Sequence, residues 1–523
     1  MKFSSIVLKS LGLGAAAMAA ACPPPDGIKA IYPDQLTKPG ADNDSKTVKS
    51  AADYGISTKP NVIFILLDDA GYGDISCNGQ TNFQTPNIDS LAKNGIRFVN
   101  HYASAPVSAS SRCALFTGKT TGHSAIRGNL ELGSGVGWDP DTVTKEGQEG
   151  LPDTEYTLAQ LFKENGYQTA LVGKWGMGMP ENNSSPMDKG FDHYYGHLCQ
   201  RMAHSYFPDH VWEDDNRVDF EGNSGLEGTV WLHDEFENKT AEYLTDYLNG
   251  SKPFFLFCTY TIPHGVLQIP DGMLNDADYH PYTTADWWSK ASDDMKRYAI
   301  MMHRLDLTVG KIIDQVEAAG KLGDTLFLFS SDNGPANEYG ADPNFFESAG
   351  RFGEERLKGI KRALYEGGIK VPFIASWDGK INPGVSEHIF ASYDIMATVA
   401  QILGTDLSEK TQTDGLSFLP VLMGDTANQK QHPYLYWEFV GTQPSEGGGP
   451  RQGVRSGVWK AVLNFGQVST AQAGEGDIEL YHLGDDPGEK TNVASAYPNI
   501  VESMRAIMVE AHDNNDKFPQ IKK

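Results

Sequence analysis

Cysteine is scarce in this chain of 523 residues: five thiols, at positions 22, 77, 113, 199 and 258, with no two in a CxxC spacing. That argues against a zinc cluster and a disulfide framework, and leaves Cys77, Cys113, Cys199 and Cys258 as scattered, mostly buried thiols. Positive charge is short as well, with 43 Lys and Arg against 68 Asp and Glu and a formal net charge of −25. Phosphate backbones are held by clustered basic side chains, so no nucleic acid is expected as a partner, and an anionic ligand needs a local basic pocket. Internal repeats and tracts of one residue type are missing, and 55 Gly and 28 Pro follow no period, which rules out a fibrous or disordered chain. After residue 21 no apolar run is long enough to span a bilayer. What is present is 40% apolar and 11% aromatic residues, enough for a sizeable core in one large domain with an appendage or in two to three domains.

The N-terminus reads as an address. Lys2 and Lys9 precede a small-residue, apolar run over 11–21, and Ala19-Ala20-Ala21 leads into Cys22 and three prolines. Small residues before a lone Cys resemble a bacterial lipobox, in which Cys22 is acylated and becomes the mature N-terminus; the alternative is an ordinary cleaved signal. Either way the protein is expected to be exported from a Gram-negative bacterium's cytoplasm, as a periplasmic protein or as an outer-membrane-anchored lipoprotein that touches membrane only through the lipid. Residues 22–58, rich in Pro, Lys, Asp and Ser, read as a tether.

Beyond the tether a pattern recurs: a short apolar run, then polar residues at once, then a helical stretch. Val62 to Leu67 runs into Asp68-Asp69, Thr169 to Val172 into Gly173-Lys174, Phe254 to Phe257 towards Pro263-His264, and Leu326 to Phe329 towards Asp332-Asn333-Gly334. Continuous apolar strands alternating with amphipathic helices predict an α/β fold, a large mostly parallel sheet sandwiched by helices. In such sheets ligands bind beyond the carboxyl ends of the strands, where all these polar groups fall. From about residue 428 the alternation at 434–437, 457–463 and 479–483, with helical spacing over 500–512, predicts a smaller antiparallel sheet with one helix.

Two adjacent carboxylates at a strand end force one to take a proton unless a cation is present. Asp68, Asp69 and Asp332 with the Asn333 amide oxygen suit a hard ion, Ca²⁺ or Mg²⁺. Each dipeptide taken alone is also an ordinary turn. The segment Ser108-Ala109-Ser110-Ser111-Arg112 places Arg112 one helical turn after Ser108, and a helix beginning there aims its positive end at the Ser108 side chain. By itself Ser-x-x-x-Arg is almost uninformative.

Extended by Leu115 and Thr117-Gly118, the segment resembles the signature of the formylglycine-dependent sulfatases of the alkaline phosphatase-like superfamily: Cys or Ser, any residue, Pro or Ala, any residue, Arg, then Leu-x-Thr-Gly. Further matching motifs are Asp68-Asp69 with Gly71-Tyr72-Gly73-Asp74, Thr85-Pro86-Asn87, Gly173-Lys174-Trp175, Pro263-His264, Asp332-Asn333-Gly334, Lys361 before Glu366-Gly367-Gly368, Asp414-Gly415, and Leu480-Tyr481 with Asp486-Pro487. The resemblance implies a sulfatase domain over 59–427 and a C-terminal α+β subdomain over 428–523. It implies that Ser108 is oxidised to formylglycine by a Ser-type sulfatase-maturating enzyme, that Asp68, Asp69, Asp332 and Asn333 hold Ca²⁺, and that Arg112 holds the modified residue. Lys174 then neutralises sulfate oxygens, and His264 with Lys361 contacts the bridging oxygen, His264 as general acid. The chain departs from the family at Ser110, where Pro or Ala is usual, and at Gly176, where Gly-Lys-Trp is normally followed by His; His204 is the expected replacement for that histidine.

The expected substrate is a sulfated glycan, attacked at a chain end on galactose or N-acetylgalactosamine, since the net charge disfavours adhesion to a long polyanion. His123, Arg127 and Asn129 are expected at the pocket rim. The aromatics Tyr279, Tyr282, Trp287 and Trp288 are either a sugar platform or packing for an insertion, and the Gly-rich stretch 446–450 either overhangs the pocket or is a surface loop. Two other functions fit less well: a formylglycine-dependent phosphonate or phosphate ester hydrolase, and a catalytically weakened glycan-binding lipoprotein.

Overall fold

The seven uncharged residues Asn61–Leu67 form the first strand, β1, whose side chains alternate between two cores. Val62, Phe64 and Leu66 face one, and Ile63, Ile65 and Leu67 the other. Alternation of this kind with both faces apolar requires cover on both sides. The computed structural model describes residues 48–130, 146–180, 182–441, 449–466, 471–519 and 521–523. The signal segment, Cys22 and the tether up to residue 47 lie outside the described residues.

The other strands of the main sheet are β2 (Ile96–Phe98), β3 (Gln168–Lys174), β4 (His193–His197), β5 (His210–Glu213), β6 (Asn216–Asp219), β7 (Phe254–Thr259), β8 (Thr325–Ser331), β9 (Phe373–Ser376) and β10 (Gly384–Ser386). Their order is β10-β2-β9-β8-β1-β7-β3-β4-β5-β6. The centre, β8-β1-β7-β3-β4, is parallel, and antiparallel pairings occur at β9 and in the β5–β6 hairpin. Helices α1 (Pro86–Lys93), α4 (Leu232–Asn249) and α5 (Asp293–Ala318) cover one face. Helices α2 (Ser108–Thr117), α3 (Leu158–Glu164) and α6 (Asp394–Leu403) cover the other. The α/β sandwich expected from the sequence is therefore the observed one.

Residues 48–58 are docked on this domain, although the tether was expected to run to 58. Ala51 and Ile56 are buried in the core, and the Lys49 ammonium meets Asp425 at 2.7 Å. Of the described cysteines, Cys113, Cys199 and Cys258 are buried free thiols and Cys77 is partly buried, as expected.

The second sheet is antiparallel in the order β11 (Leu435–Gly441), β12 (Gly449–Ser456), β13 (Trp459–Asn464) and β14 (Ile478–His482), with α7 (Pro498–Glu510) packed on it. Strand β12 has no apolar alternation, because Arg451, Gln452 and Arg455 are buried as hydrogen-bonded groups; the sequence alone does not reveal it. Gly449 and Pro450 belong to this strand rather than to a flap, and residues 446–448 lie outside the described residues. Trp437 and Phe439 of β11 pack with Tyr102, Leu364 and Tyr393, joining the two sheets through a shared apolar cluster.

Candidate active site

Parallel register brings the sequence motifs to one level. Leu67 of β1 pairs with Ser331 of β8, so Asp68-Asp69 and Asp332-Asn333 leave neighbouring strands side by side, and the Asp332 N–H donates to the Leu67 carbonyl at 3.0 Å. On the other side of β1, Gly173 of β3 pairs with Thr259 of β7, which sets Lys174 at the same height. Asp69 takes φ 64, a left-handed conformation that Asp tolerates better than most residues.

Ser108 opens α2, and the Asn129 Oδ1 accepts from the Ala109 N–H at 3.0 Å, satisfying one of the first-turn donors. The Ser108 hydroxyl donates to Asp68 Oδ1 at 3.0 Å and lies 3.4 Å from Asn333 Oδ1. One turn on, Arg112 reaches Asp332 Oδ2 with Nε at 3.0 Å and with its NH2 nitrogen at 2.9 Å. Its NH1 nitrogen donates to the Lys174 carbonyl at 2.8 Å. The Lys174 ammonium is 2.6 Å from Asp68, Lys361 is 2.8 Å from Asp69, and the Asn333 amide donates to Asp69 at 2.7 Å. His264 Nε2 lies 3.6 Å from Asp69, and its buried Nδ1 has no hydrogen-bond partner among the described residues. All these side chains are buried. Ser108, Arg112, Lys174, His264, Lys361, Asp68, Asp69, Asp332 and Asn333, expected to converge, do converge.

Burial by itself raises every carboxyl in this cluster. For Asp68 it is overcome by Lys174, with Arg112 and Lys361, which hold the group well below the ordinary carboxylate range. Asp332 is pushed up to about 6 by burial and by Asp68, against Arg112 and Lys174. Asp69 is raised by burial despite Lys361. His264 is drawn down to about 3 by burial, with Asp68 opposing, so its imidazole is neutral at pH 7.

The donor set fits a hard divalent ion. Asp68, Asp69 and Asp332 are balanced one for one by Arg112, Lys174 and Lys361, and two of the three carboxyls are still raised. An added cation relieves that repulsion and leaves the site net positive, suited to an incoming anion. Ligand atoms of Asp68, Asp69 and His264 lie within 4.8 Å of one another, so the structure adds an imidazole to the oxygen donors read from sequence.

His204 also reaches the site: its ring centroid is 4.5 Å from that of His264, and its Nδ1 is 3.1 Å from the Gly265 carbonyl. It does not occupy the space beside Gly176. That space holds Gln200, whose amide donates to the Gly176 carbonyl at 2.9 Å. A Cβ on Gly176 would stand 2.3 Å from Gln200 Nε2 and 3.5 Å from Arg112 Cδ. Gly176 also has φ +75, so Gly176→Ala should cost about 1–2 kcal/mol in stability from backbone strain alone. It should also displace Gln200; a fall in both melting temperature and turnover checks this.

Two expected rim residues are otherwise engaged. His123 Nδ1 is 2.8 Å from Asp414 at the surface. Arg127 is buried, 2.9 Å from Glu438 of β11, and donates to the Asp513 and Ser124 carbonyls. Its guanidinium ties the loop after α2 to β11 and to the segment after α7. Removing one partner of such a pair strands a buried charge, so Arg127→Met should lower stability by about 3 kcal/mol in urea unfolding. Asn129 serves α2 as described. The aromatic insertion packs on itself: Tyr282 meets Trp287 at 5.6 Å and Trp288 meets His280 at 5.0 Å, leaving only Tyr279 of the four well exposed. It is packing, not a platform.

Sequence reasoning missed Gln200, Glu338 and Tyr339. Gln200 was visible only as a neighbour of His204, and Glu338 and Tyr339 follow Asp332-Asn333-Gly334 without any pattern of their own.

Residues 60–405 match the family model described as Sulfatase, and residues 353–514 match that of the N-sulphoglucosamine sulphohydrolase C-terminal region. Arylsulfatase A of Homo sapiens is 28% identical, over 88% of this chain and 89% of that protein. The N-acetylgalactosamine-6-O-sulfatase of Bacteroides thetaiotaomicron is 26% identical, over 86% and 93%. The crystal structure of Ps i-CgsB in complex with k-i-k-neocarrahexaose superposes with a TM-score of 0.71 at 26% identity, covering 89% of this chain and 95% of that one. With the convergent cluster at the strand ends, the chain belongs to the sulfatase family and is a sulfuric ester hydrolase.

Proposed function

We propose that this protein removes sulfate from a sulfated glycan, acting at a chain end on galactose or N-acetylgalactosamine units. The observation that carries the reading is the Ser108 hydroxyl at the start of α2, 3.0 Å from Asp68 within a buried cluster of three carboxylates and three fixed cations. The named substrates of several relatives, N-acetylgalactosamine-6-sulfate among them, support the glycan assignment.

In this reading Ser108 is converted to formylglycine by a Ser-type maturating enzyme, and the hydrated aldehyde supplies the attacking hydroxyl. Asp68, Asp69, Asp332 and Asn333 would hold Ca²⁺, which when bound would withdraw charge from the sulfate oxygens. Arg112, anchored on Asp332 and the Lys174 carbonyl, fixes the side chain at 108. Lys174, buried with its ammonium on Asp68, faces the same anion and adds preorganised positive charge. Lys361 is held protonated by Asp69 and Glu338 against its burial, and His264 stands beside it. These two groups stabilise the bridging oxygen as the sugar alkoxide departs; His264, neutral in the free site, acts as general acid once the anionic sulfate ester bound beside it has raised its basicity and it has taken up a proton. Gln200 fills the place next to Gly176, donating to its carbonyl.

The test is free sulfate released from a panel of sulfated mono- and disaccharides by protein co-expressed with a Ser-type maturase. Release from galactose or N-acetylgalactosamine sulfates, with aryl phosphonate esters turned over more slowly, is expected. Faster phosphonate hydrolysis would assign the phosphonate reading instead, and sugar binding without release would assign the glycan-binding one. Export with a lipid on Cys22 is part of the proposal, checked by palmitate labelling that Cys22→Ala abolishes. Among the described residues no helix is long and apolar enough to cross a membrane.

A further inference from the structure

The loop that carries Asp332 and Asn333 continues to a fourth acid, Glu338, which lies outside the carboxylate cluster. Its side chain is 22% exposed where that of Lys361 is 3% exposed, so it stands on the solvent side of the lysine. One carboxylate oxygen is 3.4 Å from the Lys361 ammonium and the other is 2.5 Å from Arg362. Lys361 in turn meets Asp69 at 2.8 Å, so the lysine bridges Glu338, on its solvent side, and the buried carboxylate cluster. Next in sequence, the Tyr339 ring lies 5.2 Å from that of His204 and packs over Gly265, completing the wall beside His264.

We infer that Glu338 selects saccharides with a free hydroxyl, and rejects those with a second anionic group, next to the sulfate ester. This rests on the sulfatase reading above and deepens it. A carboxylate accepts hydrogen bonds from sugar hydroxyls, and the adjoining guanidinium and ammonium orient it for that purpose. The same carboxylate cancels the attraction that Lys361 and Arg362 would otherwise offer a second sulfate or a uronate and adds its own like-charge repulsion, so specificity here is built against the wrong substrate as well as for the right one. Lys361 and Arg362 overcome its burial and hold the carboxyl far below its ordinary range, so the charge is present at pH 7. The net charge of −25 works in the same direction at longer range.

The experiment compares kcat/KM of the full, matured protein for a monosulfated sugar and for the same sugar sulfated also at the neighbouring hydroxyl. Wild type should prefer the monosulfated sugar by about tenfold or more, a preference that shrinks as salt screens the repulsion. Glu338→Gln should reduce the preference by about tenfold, mainly by lowering KM for the disulfated sugar, and Glu338→Asp should restore it. If Glu338 only braces Lys361, Glu338→Gln will depress kcat on both sugars alike and leave the ratio unchanged, which overturns the inference while sulfate release still stands. A wild-type preference that is absent, or indifferent to salt, overturns it even if the variants fail to fold. No sulfate from either sugar removes the sulfatase-on-glycan reading and this inference together.

Discussion

Ser108→Ala is expected to abolish sulfate release, with a loss of about 10⁴-fold or more in kcat, the scale on which enzymes lose activity when the nucleophile is removed. The fold should survive, because the hydroxyl contributes one hydrogen bond to Asp68 and one longer approach to Asn333, while α2 is held by Asn129 and by its buried apolar face. Binding of a sulfated sugar should also survive, since the cations that attract it are Arg112, Lys174 and Lys361. Circular dichroism and a binding titration beside the sulfate assay separate these outcomes. Ordinary turnover by the alanine variant would show that another group attacks sulfur.

Asp332→Asn should be nearly as damaging to catalysis, by about 10³-fold, more than the 10–100-fold that follows loss of an outer partner of a metal ligand. Its effect on the metal-free protein should have the opposite sign. Asp332 is raised to about 6 by burial and by Asp68, so its charge at pH 7 costs folding free energy, and the amide removes that cost while still accepting from Arg112. The variant stripped with chelator should therefore be as stable as wild type or more so. Added Ca²⁺ should raise the melting temperature of wild type, by mass action worth about 2.7 kcal/mol at a hundredfold excess over the dissociation constant, and should not raise that of the variant. Turnover untouched by both chelation and Asp332→Asn would remove the cation from the account.

The sheet and most of the site were legible because they share one cause. A parallel strand buried on both faces reads as a continuous apolar run, and the residue at its carboxyl end is where the chain turns and where ligands bind. Asp68, Lys174 and Asp332 each stand at such an end, so locating the strands located the chemistry. Arg127 was misplaced because its meaning lies in Glu438, 311 positions away on another sheet, and no local pattern reports a partner so distant. His123 fails in the same way through Asp414, 291 positions on. The absence of histidine at Gly176 was visible, but the identity of its replacement was not. Gln200 fills the space because β3 and β4 run parallel and the chain leaving β4 returns beside the end of β3, with the Gly176 N–H bonded to the Leu198 carbonyl. His204, four residues further, is carried past that point to the other wall of the site.

The central claim is that this protein cuts the S–O bond of a sulfate ester with an oxygen nucleophile at position 108. It is tested most directly by running the reaction in H₂¹⁸O and locating the label by mass spectrometry. One ¹⁸O in the released sulfate and none in the desulfated sugar is the expected result. Label in the sugar hydroxyl, which marks cleavage of the C–O bond, would contradict it.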